Sequence, residues 1–367
     1  MAASFKDLLK RAAFILVASL LGFAGLEALV FRSGLYIIIA DPNSTAGYLG
    51  QILHNEEMRA KVGPNQVLGI GDSRMALLPR VANELTPETG YTFATIAVAG
   101  TTARCWYYML RSADPDANRY RAILIGIDSY DDPETWENHA NRESDLNYVI
   151  GQLGYADMAE FSGSYHDPAL QSRARRAILL KGLLLKRDFQ QLLLNPWARV
   201  RDALQSRRDS HEWNYNYPGE PRSMAGLEVD WERKTLKLPP SADAAIEAGL
   251  KQRLFDAVPP EQGRHSAYLK YWYGRIFEHY RNSATRLIFT RLPRGPWVRP
   301  DFRSTNPDAS VRLLAREPNV TLLPEGLFDQ MEVPEKFMDQ MHLNRDGLNL
   351  ASAMLARETR AVLGPPH

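Results

Sequence analysis

A chain of 367 residues, 45% hydrophobic and 24% charged, can bury a large core, and this composition excludes a disordered or fibrous protein. Its 44 Lys and Arg against 43 Asp and Glu leave a net charge of +1, so no global field draws it to nucleic acid. The single cysteine, Cys105, excludes an intramolecular disulfide; within Arg104-Cys105-Trp106-Tyr107, a helical-looking stretch, it reads as a buried, inert thiol.

The first element is a membrane segment. Lys6, Lys10 and Arg11 precede an apolar run from Ala12 to Val30 that is broken only by Glu27. As a helix that run is about 28 Å long, enough to cross a hydrocarbon core. Positive charge before the span and a long domain after it predict a cytoplasmic N-terminus and an extracytoplasmic remainder. A cleaved signal peptide has similar n- and h-regions, but the long apolar stretch and the poor cleavage pattern before Glu27 favour a retained anchor. Glu27 itself is either solvated at the outer headgroup level or paired with a polar group of a second membrane protein.

Residues 31–65 read as a connector, with Leu35-Tyr36-Ile37-Ile38-Ile39 near the membrane or packed as a short strand, and Asp41-Pro42-Asn43-Ser44 as a break. A succession suited to a parallel α/β sheet follows. Val67 to Ile70 is strand one, followed by a helix opening around Arg74 and stopping near Pro79. Tyr91 to Val98 is strand two, and Thr101 to Arg111 a helix with an aromatic face. Ala122 to Ile127 is strand three, a continuous apolar run suited to burial on both faces. Arg286 to Thr290 and Val320 to Leu323 make strands four and five, and Asp346 to Val362 closes the chain as a helix with Leu348, Ala351, Met354 and Leu355 on one side. The segment between strands three and four is too long for one crossover and reads as an insertion. The expected organisation is an anchor over 1–40, an α/β domain in two parts over 41–130 and 284–367, and the insertion over 131–283.

Two motifs in the α/β parts carry chemistry. Gly71-Asp72-Ser73 leaves a buried strand and puts a hydroxyl on an exposed turn. Asp339-Gln340-Met341-His342 near the other end supplies an imidazole and a carboxylate close enough in sequence to orient it. A serine hydroxyl needs such a base to become a nucleophile, and the base needs an acid to fix its tautomer.

On these blocks the chain resembles the SGNH (GDSL) hydrolase superfamily. Gly71-Asp72-Ser73 matches the first block and Asp339-x-x-His342 the last. Gly100, after strand two, fits the second block, and Gly126-Ile127-Asp128-Ser129 aligns with the third, Gly-x-Asn-Asp. The resemblance implies a three-layer, flavodoxin-like α/β domain and a Ser73–His342–Asp339 triad. It also implies an oxyanion hole at Ser73, Gly100 and the third-block position, with no cofactor and no metal. The third block departs from the pattern, because Asp128 stands where the family has its oxyanion asparagine, and an ionised carboxylate cannot donate. Either the N–H groups of Ser73 and Gly100 suffice, or Arg74, Arg291 or Arg294 substitutes, the last two leaving strand four toward the same edge.

A narrower likeness, carried by the single N-terminal anchor, the block Leu124-Ile125-Gly126-Ile127-Asp128 and the large insertion, is to the membrane-anchored SGNH-like proteins of bacterial envelope acylation systems, which work beside a multi-spanning membrane O-acyltransferase. It implies an inner-membrane protein with a periplasmic domain that passes an acyl group, acetyl by likeness, to a polysaccharide. A secreted carbohydrate or lipid esterase with the same triad is the second reading. A non-catalytic scaffold for a membrane acyltransferase is the third.

The remaining features have plainer alternatives. His139, His166, His211, His265 and His279 show no metal-ligand spacing and read as surface or structural. Asp128, Asp131, Asp132 and Glu134 form either a cation or partner site or a solvated helix start before Pro133. Trp213-Asn214-Tyr215-Asn216-Tyr217 and Tyr268-Leu269-Lys270-Tyr271-Trp272-Tyr273 suit a glycan groove, although helical spacing in the second also suits a core. The basic run around Lys181, Lys186 and Arg187, preceded by Arg173, Arg175 and Arg176, suits lipid headgroups, a partner or a solvated helix face.

Overall fold

The computed structural model describes residues 5–59, 63–135, 137–209, 223–240, 242, 244, 246–258, 263–297 and 305–366. They fall into two compact units, one of residues 1–54 with 146–211, the other of 55–145 with 212–367. In chain order the first elements are α1 (Phe5–Phe31), α2 (Leu35–Ile39), α3 (Thr45–Met58), β1 (Gln66–Ile70), α4 (Leu78–Ala82), α5 (Thr86–Thr89), β2 (Thr92–Thr95), α6 (Ala103–Ala113) and β3 (Ala122–Ile127). Then come α7 (Ser144–Val149), α8 (Met158–Gly163), α9 (Pro168–Leu179), α10 (Lys181–Leu194), α11 (Pro196–Asp209), β4 (Glu228–Asp230), β5 (Thr235–Lys237) and α12 (Ile246–Phe255). The last are α13 (Arg264–Tyr280), β6 (Arg286–Arg291), α14 (Ser310–Leu314), β7 (Val320–Leu322) and α15 (Arg345–Leu363).

The second unit is built on a five-stranded parallel sheet in the order β2-β1-β3-β6-β7, with β4 and β5 as a separate antiparallel pair. Every residue of β1 and of β3 is buried, as continuous apolar runs in a parallel sheet require. Register aligns Val67 with Phe93 and Leu124 with Ile288, and these four share one core with Leu78 of α4 and Leu348, Ala351 and Leu355 of α15. The opposite face receives α6 and α13. The Trp106 ring stacks on Tyr273 at 6.4 Å, and Tyr273 meets Phe289 edge-on at 5.5 Å. Period-two alternation thus sends Ile288 to one layer and Phe289 to the other.

Several elements differ from their sequence reading. Strand two ends at Thr95, where the Thr95 hydroxyl takes the Ala97 N–H. No helix opens at Arg74: residues 73–75 form a turn, and α4 starts at Leu78 with Pro79 in its first turn. Proline is tolerated there because that N–H has no intrahelical partner in any case. Leu35 to Ile39 is a short helix, not a strand. The aromatic run of α13 is core, with Tyr268, Trp272 and Tyr273 buried; Trp213 to Tyr217 and His211 lie outside the described residues.

The first unit contains the one helix, among the described residues, that is long and apolar enough to cross a membrane. Leu9–Phe31 has a mean hydropathy of 2.3, and its side chains face outward along nearly all of its length. Glu27 meets neither expected fate. It is buried within its own unit, where Oε1 accepts the Lys181 N–H at 2.6 Å and Oε2 accepts Arg32 Nε at 2.9 Å. Lys181 is likewise buried, its Nζ on the Gly151 carbonyl at 2.9 Å, and burial lowers its pKa to about 8.

Candidate active site

The carboxyl ends of β1, β2 and β3 set the site. Gly71 follows β1 beside Gly126 of β3, so close that a Cβ there would lie 2.8 Å from Met75 Cβ and 3.0 Å from the Gly126 carbonyl oxygen. Only glycine lets the chain turn against its neighbour. Gly71→Ala is expected to cost about 1–3 kcal/mol by overpacking, which denaturant unfolding would measure. The Gly71 carbonyl accepts Val98 N–H at 3.3 Å and Thr101 Oγ1 at 3.2 Å. These bonds draw the turn carrying Gly100 (φ 72°, a left-handed conformation suited to glycine) next to the GDS turn.

That second turn is anchored from below. Thr102 Oγ1 and the Arg104 guanidinium both donate to Asp145 Oδ2, at 2.7–2.9 Å, and the Arg104 and Asp145 side chains are wholly buried. Tyr268 Oη meets Thr102 Oγ1 at 2.7 Å. Beside this knot His265 is buried against the Tyr268 and His139 rings, and desolvation, reinforced by His139, lowers its pKa to about 4. An unfolded His titrates near 6.5, so between about 6.5 and 4 the unfolded chain binds a proton that the folded chain refuses, and stability falls as pH falls. The expected loss is roughly 2 kcal/mol at pH 5 relative to pH 7. Denaturant titrations at the two pH values should show His265→Phe flattening that dependence.

His342 reaches the GDS turn from the other end of the chain. The Phe337–Leu343 bridge and the bond from Met338 N to the His342 carbonyl, 2.9 Å, close a tight loop ahead of α15. Asn344 Oδ1 then caps that helix on Gly347 N–H at 3.0 Å. Within the loop Asp339 Oδ1 accepts the N–H groups of Met341 and His342, each at 2.8 Å, and Oδ2 lies 2.8 Å from His342 Nδ1. Desolvation would raise the Asp339 pKa, but the His342 hydrogen bond and charge, with the two backbone donors, bring it below the ordinary value. An ionised Asp339 only accepts, so Nδ1 carries the ring proton, which in the neutral ring leaves the lone pair on Nε2. Ser73 Oγ lies 2.8 Å from Nε2.

Next to Ser73 stands Arg74. Its guanidinium donates to Asp72 Oδ2 at 2.6 Å and to Asp128, and its backbone N–H donates to Asp72 Oδ1 at 2.9 Å. Despite desolvation, Arg74 holds the Asp128 carboxyl below its ordinary range, so Asp128 serves as an acceptor. Asp72 and Arg74 sit two apart in sequence, but their link to Asp128 across the β1–β3 edge carries no local signal. Over the serine lies a small cleft of about 20 Å³ lined by Ser73, Arg74, Leu77, Pro293, Met341, His342, Leu343 and Leu348.

Arg291 and Arg294 are not in that lining. Arg291 is buried and donates to the Glu325 carbonyl at 2.7 Å and to Asp329 at 2.6 Å, and it also pairs with Glu332. Arg294 pairs with both oxygens of Glu332. Both are held in an ion network with Asp329 and Glu332, so the structure does not bring either to Ser73 as the substitute donor or substrate ligand that the sequence suggested. The acidic cluster is likewise taken up in bonds to residues 129–181 positions away in the sequence. Asp131 accepts from Asn306 N–H and Arg312, Asp132 from Ser310 and Ser266, and Glu134 from Gly263 N–H. Cys105 is buried, and burial raises its thiol well above its ordinary pKa. Compared with known proteins, the chain matches no protein-family model and no curated protein.

Proposed function

We propose that the chain is a membrane-anchored, extracytoplasmic serine O-acyltransferase of SGNH type that modifies an envelope or exported polysaccharide. The observation that carries this reading is the continuous relay from Ser73 Oγ through His342 to Asp339, with both links at 2.8 Å. The strand order, which renumbers to 2-1-3-4-5, is that of flavodoxin-like sheets, where ligands bind beyond the carboxyl ends of the strands. Ser73, Gly100 and Asp128 all follow such ends. The apolar helix at the N-terminus supports the anchor, and the basic residues before it support a cytoplasmic start.

In this mechanism the Ser73 hydroxyl gives its proton to His342 Nε2 as Oγ bonds to the acyl carbon. The tetrahedral oxyanion is held by the N–H groups of Ser73 and Gly100, with the Arg74 charge nearby. Collapse breaks the bond to the donor's leaving oxygen, which takes the proton from His342. A sugar hydroxyl then yields its proton to His342 and attacks the acyl-serine, and the proton returns to Ser73 as the ester forms on the sugar. Acetyl is the acyl group that the family likeness implies. The intact relay weighs against a decayed site serving only as a scaffold.

Asp128 positions Arg74 in this scheme and makes no direct bond to the oxyanion. Asp128→Asn should therefore keep kcat within about tenfold of the parent, whereas loss of a true oxyanion donor costs about 10²–10³. Steady-state hydrolysis of an activated acetyl ester distinguishes the two. The whole reading is tested by incubating the purified chain with an activated acetyl ester and an oligosaccharide. Acetylated sugar is the expected product. Free acetate with no acetylated sugar assigns the triad to an esterase, and neither product contradicts both enzymatic readings.

A further inference from the structure

The end of α1 is locked to the junction of α9 and α10. Arg32, bound to Glu27, also donates to the carbonyls of Ile178 and Leu179, and its guanidinium lies 3.8 Å from the centre of the Tyr155 ring. Phe31 packs edge-on against Phe189 at 5.3 Å, and a Cβ on Gly182 would meet the Phe31 ring at 2.9 Å. Tyr36 of α2 donates to Asp188 of α10, whose other oxygen accepts the Asp41 N–H at 3.0 Å. The helix that crosses a membrane in the proposed reading therefore continues into α9–α11 through a buried joint, with no loose linker between them.

Those helices carry an unusual surface. Among the described residues outside α1, every large apolar side chain more than half exposed lies in this same unit, Met58 excepted. Trp197 is 86% exposed, Leu194 78% and Leu183 58%. On α10 the exposed stripe runs Leu183, Arg187, Gln190, Leu194, one helical face at 3.6-residue spacing. Among the described side chains of residues 168–209, Arg173, Arg175, Arg176, Lys186, Arg187 and Arg201 are exposed against one exposed acid, Asp202, in a chain whose overall net charge is only +1. Exposed leucines and a tryptophan among long cationic side chains are the composition of a helix lying in the headgroup layer, where the charges reach phosphates and the apolar groups enter the acyl boundary. Continuity with α1 delivers that surface to the bilayer.

We infer that α9–α11 form a collar seated on the anionic lipid surface at the point where α1 leaves the membrane. This rests on the membrane reading of α1 and is independent of the acyl chemistry. The full chain is reconstituted in vesicles of phosphatidylcholine with or without phosphatidylglycerol. An environment-sensitive fluorophore is placed in turn at Leu194→Cys, Trp197→Cys, Leu20→Cys on α1 and Arg233→Cys in the sheet-bearing unit, with Cys105 too buried to compete. The readout is quenching by two lipids, one doxyl-labelled near the headgroup for positions 194, 197 and 233 and one doxyl-labelled near the end of the acyl chain for position 20. The expected result is strong quenching at 20, and quenching at 194 and 197 several-fold above that at 233 in the anionic vesicles, falling when phosphatidylglycerol is omitted. Quenching at 20 without quenching at 194 and 197 overturns the collar and leaves the anchor standing. Equal quenching in neutral and anionic vesicles overturns the charge-based recognition. Shielding of 194 and 197 only when a second membrane protein is added assigns the face to a protein and overturns it too. No quenching at 20 removes the anchor itself and the inference with it.

Discussion

Ser73→Ala is expected to lower turnover of an activated acetyl ester by about a millionfold, to the level that binding and fixed dipoles support alone. The expectation follows from the geometry of the GDS turn. Ser73 Oγ lies 2.8 Å from His342 Nε2, and the described lining of the cleft offers no other hydroxyl nucleophile. Removing the oxygen leaves the imidazole with no covalent partner to activate. Little folding energy goes with it, because the serine sits on a partly exposed turn, so the variant should unfold at nearly the same denaturant concentration as the parent. A steady-state assay with a folding control checks both halves. Retention of more than a few per cent of activity would transfer the chemistry elsewhere.

The second large effect belongs to Asp339. Asp339→Asn is nearly isosteric, yet it is expected to cost on the order of ten-thousandfold in kcat. The carboxylate accepts three bonds, from Met341 N–H, His342 N–H and His342 Nδ1. An asparagine oxygen can serve the backbone donors, but its NH₂ then faces Nδ1 and favours the tautomer with the proton on Nε2. In that tautomer the ring has no lone pair for Ser73. KM should change little, since Asp339 is absent from the cleft lining. A fall in kcat at constant KM supports an orienting role; a rise in KM at constant kcat would contradict it. Because the substitution also weakens the loop before α15, the unfolding midpoint is measured alongside.

How much of this was legible in the chain depends on range. β3 was readable to the residue because a six-residue apolar run buried on both faces has few other fates. Ser73, His342 and Asp339 were readable because each lies in a short motif at the edge of an element, and the structure brings them together. α4 was misplaced because Pro79 reads equally as the end of one helix and the first turn of another. Arg291 and Arg294 leave their strand toward the correct edge, but their carboxylate partners lie 38–41 residues downstream, beyond any local pattern. The same limit hid the Arg74–Asp128 pair and the burial of Glu27, whose partner in α10 is 154 residues away. Motifs and periodicity report what one segment wants; buried charge pairs report what two distant segments do for each other.

The central claim is that His342 makes the Ser73 hydroxyl nucleophilic, and the most direct measurement is covalent trapping. The purified chain is treated with a serine-reactive fluorophosphonate, digested and mapped by mass spectrometry, beside a His342→Ala variant. The account predicts one stoichiometric adduct on the peptide carrying Ser73 in the parent chain and its loss in the variant. Labelling at another residue, or equal labelling of Ser73 without His342, would contradict it.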